Sequence, residues 1–223
     1  MRRLSILNLT LAATFTFLAL VPVCASALEN PEILTALPNK ITSKGGAAKF
    51  VSAEVTVECK KLTGSGEFSS VRLGNLSMVF SECTAGGLMC KTAGALAGVI
   101  EAAASIHLVA YKSGGVLALG IAVTPTSTIK ASCGPTLIVQ IKGTVIGHVI
   151  NIESGFEYPA GTTKTLLFSE EAKKQEVKKC EVDLAFCSGK TYEYLASIGL
   201  AFSEAVEIAA DELTFEKAIK IVY

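Results

Sequence analysis

The sequence predicts an all-β fold: an antiparallel β-sandwich or barrel-like domain, stapled by disulfides and carried behind an N-terminal signal peptide. Three observations predict it. Apolar and polar residues alternate with period two over much of the chain after residue 47, as in strands with one dry and one wet face. Glycine, proline and serine clusters interrupt these runs at short intervals, as turns between antiparallel strands do. Half of the 223 residues are hydrophobic and 7 are cysteines, so the chain has material for a core and sulfur to cross-link it.

The N-terminus explains the cysteines. Met1-Arg2-Arg3 is a short basic region, residues 4–23 are uncharged and apolar, and Ala25-Ser26-Ala27 offers the small side chains a signal peptidase needs. Residues 1–27 therefore read as a signal peptide cleaved before Leu28, which places the protein outside the cell or at its surface. An uncleaved anchor is the alternative, since the run approaches the ~20 residues that span a bilayer, but Asn8, several threonines and Pro22 interrupt it. A lipoprotein acylated at Cys24 is a further alternative, and Val21-Pro22-Val23 lacks the small residue such a site prefers. No later segment reads as membrane-spanning.

Charge excludes another class. The chain has 20 Lys+Arg against 20 Asp+Glu. A neutral balance supplies no long-range field to hold a polyanion, so a nucleic-acid partner is not expected.

Residues 28–46 read as an irregular lead-in, with Pro31, Pro38 and a Lys44-Gly45-Gly46 turn, followed by a single β-rich domain over 47–223. In it, Val51, Ala53, Val55, Val57 and Cys59 alternate with Ser52, Glu54, Thr56 and Glu58 as one strand. Thr63-Gly64-Ser65-Gly66 reads as a break, and Leu76, Met78 and Phe80 resume the alternation. Over 92–104 the alanines favour helix while Gly94 and Gly98 oppose it; a strand over 99–111 fits better. Lys112-Ser113-Gly114-Gly115 is a hairpin turn, and 116–123, apolar on both faces, is a doubly covered return strand. Pro125 and Cys133-Gly134-Pro135 frame a short strand. Residues 137–152 form a long one, with Gly143 and Gly147 as bulge candidates. After a loop at Tyr158-Pro159-Ala160-Gly161, the charged 169–181 region reads as a short helix or an exposed edge strand. Closing strands are expected over 192–198, 205–209, 212–215 and 219–223, with a helix from Ala205 through Asp211 as the alternative.

Cys24 leaves with the signal, and Cys59, Cys83, Cys90, Cys133, Cys180 and Cys187 remain. Six cysteines allow fifteen connectivities, and the sequence does not choose among them. The expected set is Cys59–Cys83, near the ends of two strand-like runs; Cys180–Cys187, close enough to staple a turn; and Cys90–Cys133 as the remainder. A structural zinc does not suit the chain. There is no C-x-x-C, the close pairs are C-x6-C, and the only histidines are His107 and His148. No cofactor is expected.

Catalytic signatures are absent from the sequence. There is no G-x-S-x-G elbow and no glycine-rich phosphate loop. His107 and His148 read as strand residues, although paired strands would bring them together, with Glu101 or Asp183 as a carboxylate partner. Glycoside hydrolysis needs two acids about 5–10 Å apart. Glu101, Glu153, Glu157, Asp183 and Glu193 are candidates by count alone, each equally explained as a solvated charge. Glu170-Glu171 and Asp211-Glu212 lack the regular oxygen spacing of a calcium loop. Tyr192 and Tyr194 share a strand face and make a candidate stacking platform for a sugar ring, though the chain has no Trp. Asn75-Leu76-Ser77 has the form of a glycosylation acceptor.

Ile41-Thr42-Ser43-Lys44-Gly45-Gly46, then Ile141-Lys142-Gly143-Thr144-Val145-Ile146-Gly147, then Lys173-Lys174-Gln175-Glu176 resemble, in that order, a group of secreted β-rich hypothetical proteins of soil actinobacteria (Thermoleophilia-type). The resemblance implies export and a β-rich fold and transfers no catalytic residue. The chain departs from the group around Cys180–Cys187, a stapled local insertion, which favours pairing those two cysteines. The expectation is thus an exported, non-catalytic β-domain with a structural or binding role, a cell-wall or glycan ligand being the candidate partner. A secreted glycan-acting hydrolase using a carboxylate pair is the alternative.

Overall fold

A computed structural model describes residues 30–171, 174–175, 177, 179–180, 184–187, 194–198 and 203–223. Its strands are β1 (Glu32–Ile33), β2 (Asn39–Gly45), β3 (Ala48–Ser52), β4 (Thr56–Cys59), β5 (Lys61–Phe68), β6 (Leu73–Ser81), β7 (Thr84–Ala85), β8 (Leu88–Thr92), β9 (Val99–Ser113) and β10 (Val116–Pro125). They continue with β11 (Ile129–Cys133), β12 (Leu137–Gly143), β13 (Val145–Ile150), β14 (Glu157–Tyr158), β15 (Thr163–Phe168), β16 (Glu170–Glu171), β17 (Lys174–Gln175), β18 (Tyr194–Ile198), β19 (Ser203–Phe215) and β20 (Ile219–Val222). A single helical turn, α1, spans Leu184–Cys187.

Every strand pairing among the described residues is antiparallel, and following the pairs gives two closed rings. The first runs β9–β10–β13–β15–β19–β2–β5–β6 and returns to β9. The second runs β8–β11–β12–β18–β19–β3–β4–β7 and returns to β8. Strand β19 belongs to both: Ala205–Ile208 pair with β3, whereas 209–214 pair with β15 and 211–215 with β2. The chain crosses between rings at short breaks, from β2 to β3, β4 to β5, β6 to β7, β8 to β9, β10 to β11 and β12 to β13. Closure gives each strand of either ring a partner on both sides over at least part of its length, which is how a barrel limits edge-to-edge association.

The rings share one core. Phe50, Val57, Val139 and Ile141 of the second ring and Ile41, Leu62, Phe80 and Ile106 of the first belong to a single buried cluster. Phe50 meets Phe80 edge-to-face across the junction, at 5.2 Å between centroids. Phe68, Phe80, Phe215, Leu108 and Leu119 are completely enclosed, so side chains fill the first ring, as in small barrels. Outward positions such as Lys40, Lys44, Glu101 and Asn75 are exposed and polar. The end of the first ring remote from the second is capped by the small sheet β1–β20–β14, whose Ile33, Ile219 and Ile221 join the core.

Several expectations change. Residues 39–45 are not irregular lead-in but β2, paired with both β5 and β19. Its buried positions are Asn39, Ile41 and Ser43, so two polar residues face inward and disguise the alternation. The run 51–59 is not one strand; the chain reverses at 53–55, where Ser52 Oγ accepts from the amides of Glu54 and Val55. Nor does Thr63-Gly64-Ser65-Gly66 break a strand, because β5 runs through it. A Cβ at Gly66 would lie 2.0 Å from the Asn75 carbonyl oxygen, so glycine is there to let β5 and β6 approach. The closing strand expected over 205–209 is present within β19, and the helical alternative through Asp211 is not formed.

Other elements match their expectation. β9 alternates strictly from Ile100 to Ile106 and is then buried on both faces from Leu108 to Tyr111. β10 is buried on both faces from Leu119 to Val123. The cause of the second dry face is a separate cluster in which Val177, Cys180 and Cys187 cover Val109, Tyr111, Ala122 and Ile146 on the outer wall, with Phe186 packed alongside. The disulfides are Cys59–Cys83, Cys90–Cys133 and Cys180–Cys187, the same three pairs the sequence suggested. Cys90 and Cys133 lie directly opposite each other on β8 and β11. Three disulfides are in keeping with an oxidising, extracellular compartment. No helix among the described residues is long and apolar enough to cross a membrane.

Candidate functional site

The outer wall of the second ring carries a groove built where β3 and β4 meet the loop after β6. Its first part, about 430 Å³, lies over the Cys59–Cys83 disulfide. Ala47, Met89, Ala97 and Val99 give it apolar walls, and Lys49, Glu58, Lys60 and Glu82 ring it with charge. The second part, about 730 Å³, continues past Lys49 and Glu58, which line both. It is polar, with Ser52, Thr56 and Ser203 hydroxyls and the carboxylates of Glu58, Glu170 and Glu204. The Lys49 ammonium, 2.7 Å from a Glu58 oxygen, marks the boundary between the parts.

Local sequence explains the rim. β6 ends at Ser81, and Glu82 takes a left-handed backbone, φ 56°, which is costly for a residue with a side chain. That turn redirects the chain so that Cys83 bonds inward to Cys59, while the Cys83 amide donates to the Gly98 carbonyl. The Glu82 carboxylate faces Lys60 at 3.0 Å and Lys61 at 3.1 Å. Hydrogen bonds from Lys60 and then Lys61 hold its carboxyl below the ordinary glutamate range. Met89 is 63% exposed and Leu96 80%, which extends the apolar surface beside the groove.

A second polar feature is interior. β19 turns Glu207 and Asp211 inward, 3% and 4% exposed. Asp211 Oδ1 and the nearby Ser43 Oγ are buried without a hydrogen-bond partner, and burial pushes the Asp211 carboxyl up to about 7. A Cβ on Gly45 would sit 2.2 Å from Asp211 Oδ1, so the carboxyl fills the space that glycine leaves. A third feature lies at the capped end, where the buried Lys164 donates to the Asn151 carbonyl and rests 3.4 Å from the Tyr158 ring centroid. The more exposed Phe156 meets Tyr158 at 4.7 Å.

The sequence candidates are dispersed. His107 and His148 share the outer face but sit two strands apart: His107 opposes Ala122, and His148 opposes Gly120. Each faces an aromatic ring, His107 that of Phe186 at 4.1 Å and His148 that of Tyr111 at 5.8 Å. Glu101 is exposed on β9, whereas Glu153 and Glu157 are exposed at the capped end. Asp183, Glu193 and Tyr192 lie outside the described residues. Tyr194 pairs through its backbone with Gly143 and Ala205. Among the described residues no cluster of three or more His, Cys, Asp or Glu is arranged to hold a metal ion.

Sequence reasoning missed Glu58 and Glu204 because each reads as an ordinary wet-face charge; only folding puts them in one concavity. Glu207 and Asp211 carried a signal, since period two from Ala205 through Ala209, Leu213 and Phe215 puts both acids on the dry side.

Fold and site together define a disulfide-linked, closed antiparallel β protein with a two-part groove on its outer wall. No family model, curated protein or solved structure matches the chain.

Proposed function

We propose that the chain is an exported, non-catalytic β-domain that binds a ligand at the cell surface or in the extracellular space through the groove beside Cys59–Cys83. The supporting observation is the groove itself: an apolar part and a polar part joined at Lys49 and Glu58. A strained backbone at Glu82 is maintained on its rim, and strain of this kind concentrates at functional sites. Hydroxyls and carboxylates in the polar part suit a polyhydroxylated ligand, and Met89 beside them suits an apolar substituent, so a cell-wall glycan is the ligand class we favour. The basic, apolar and small-residue order of residues 1–27 supports export, and the three disulfides agree with it.

A second reading, a glycan hydrolase, draws on Glu58, Glu170 and Glu204 lining one concavity. One experiment addresses both. The oxidised protein from Leu28 onward is screened by thermal shift against glycans and cell-wall fragments, and each mixture is assayed for new reducing ends. The binding reading expects a melting temperature raised by ligand, lost on Lys49→Glu, with no new reducing ends. Release of reducing ends overturns the non-catalytic assignment, and the absence of any shift overturns the ligand class.

A further inference from the structure

β19 leaves the second ring and enters the first within a few residues. Ile208 is its last residue paired with β3, and Asp211 is its first paired on both sides in the first ring, to Gly45 of β2 and Leu166 of β15. Gly45 is also where β2 ends and the chain turns through Gly46 and Ala47 into β3. Asp211 thus stands inside the fork where β2 and β3 part along β19.

The strands packed against its carboxyl bring it few charged groups. From β2 the inward positions are Asn39, Ile41, Ser43 and Gly45, none titratable, and Ser43 Oγ has no partner of its own. From β15 they are Lys164, Leu166 and Phe168; the Lys164 ammonium is directed to the Asn151 carbonyl and the Tyr158 ring. On β19 itself Glu207 lies four residues earlier, opposite Phe50. The β16–β17 hairpin, which also contacts β19, carries Glu170, Glu171 and Lys174, and the neighbouring Lys44 and Glu212 are exposed on the outer face. No ion pair to Asp211 is found among the described side chains, and its Oδ1 has no hydrogen-bond partner, so burial stands unopposed against its ionised form.

We propose that Asp211 is a proton-operated latch: protonated, it lets the fork between the two rings stay closed, and ionised, it loosens the β2–β19–β15 seam. Burial of an unpaired carboxylate disfavours the folded state, so the folded protein binds its proton more tightly than the unfolded chain. The sign follows. The carboxyl is held at about 7, above its ordinary 3.8. The full contribution to stability is therefore present below the unfolded value. It falls as pH rises between the two and levels off above the folded value. An exported protein meets whatever pH lies outside, so the device would make its rigidity depend on that medium.

The test is the melting temperature of the oxidised protein and of Asp211→Asn between pH 4 and pH 8.5. The amide keeps the shape of the protonated acid and removes the titration. The wild type is expected to lose on the order of 10 °C relative to the variant as pH rises through this range. Parallel curves overturn the proposal. Should Asp211→Asn not fold, the carbon-13 carboxyl titration of the unmodified protein decides instead. An aspartate midpoint near neutral, accompanied by faster hydrogen exchange at the β2 and β19 amides above it, supports the latch. A full set of midpoints at ordinary values overturns it.

Discussion

Removing the Cys90–Cys133 bridge by the double change Cys90→Ala and Cys133→Ala should cost more than removing either other disulfide. Each bridge closes a loop in the unfolded chain, and a longer loop loses more entropy on closure. The sequence separations are 43 for Cys90–Cys133, 24 for Cys59–Cys83 and 7 for Cys180–Cys187. Loop-closure entropy then gives about 4, 3.5 and 2.5 kcal/mol at room temperature. Burial sharpens the order: Cys90 and Cys133 are 0% exposed, so alanine there also leaves small gaps in the core, whereas Cys180 and Cys187 sit in the outer cluster at 8% and 6%. Urea unfolding of the three double variants, each with its remaining bridges oxidised, reads the free energies directly. Equal losses, or the largest loss at Cys180–Cys187, would refute the reasoning, because neither loop length nor burial would then govern the bridges.

Three further outcomes follow from packing. Gly66→Ala should destabilise by about 1–3 kcal/mol, since its Cβ meets the Asn75 carbonyl oxygen at 2.0 Å, while Gly46→Ala, with open space around it, should stay within about 0.5 kcal/mol; denaturant midpoints compare them. Phe186→Ala removes the ring over His107 and should cost on the order of 1 kcal/mol, with faster exchange at the β9 amides near Val109 but not near Ile100. Lys49→Ala breaks an ion pair whose side chains are 47% and 55% exposed, so thermal unfolding should shift by no more than about 1 kcal/mol equivalent, which makes the position suitable for testing ligand binding without disturbing the fold.

The all-β class was legible because long stretches obey period two: Ile100, Ala102, Ala104 and Ile106 face the core and their neighbours face water. The double burial of 119–123 was legible from an uninterrupted apolar run, although the cover, the segment around Cys180–Cys187, is a tertiary fact. β2 was missed where the inward residues are Asn39 and Ser43, because a polar residue on the dry side erases the pattern. The turn at 53–55 was missed for the opposite reason: alternation continues through the reversal, so hydrophobicity alone does not register it. Gly64 and Gly66 read as a strand break because glycine marks both breaks and close backbone approach, and only the partner strand distinguishes them. The groove was illegible: Glu58 reads as an ordinary wet-face charge, Lys49 and Glu82 lie beyond the ends of the runs that the alternation marks, and their convergence with Met89 depends on ring closure.

The central claim is that one strand, β19, closes two antiparallel rings. Cross-strand nuclear Overhauser contacts in the isotope-labelled, oxidised protein test it most directly. Backbone contacts are expected from 205–208 to 49–52 of β3 and, along the same strand, from 209–214 to 163–168 of β15. Detection of one set without the other would leave an open sheet in place of a ring and contradict the account.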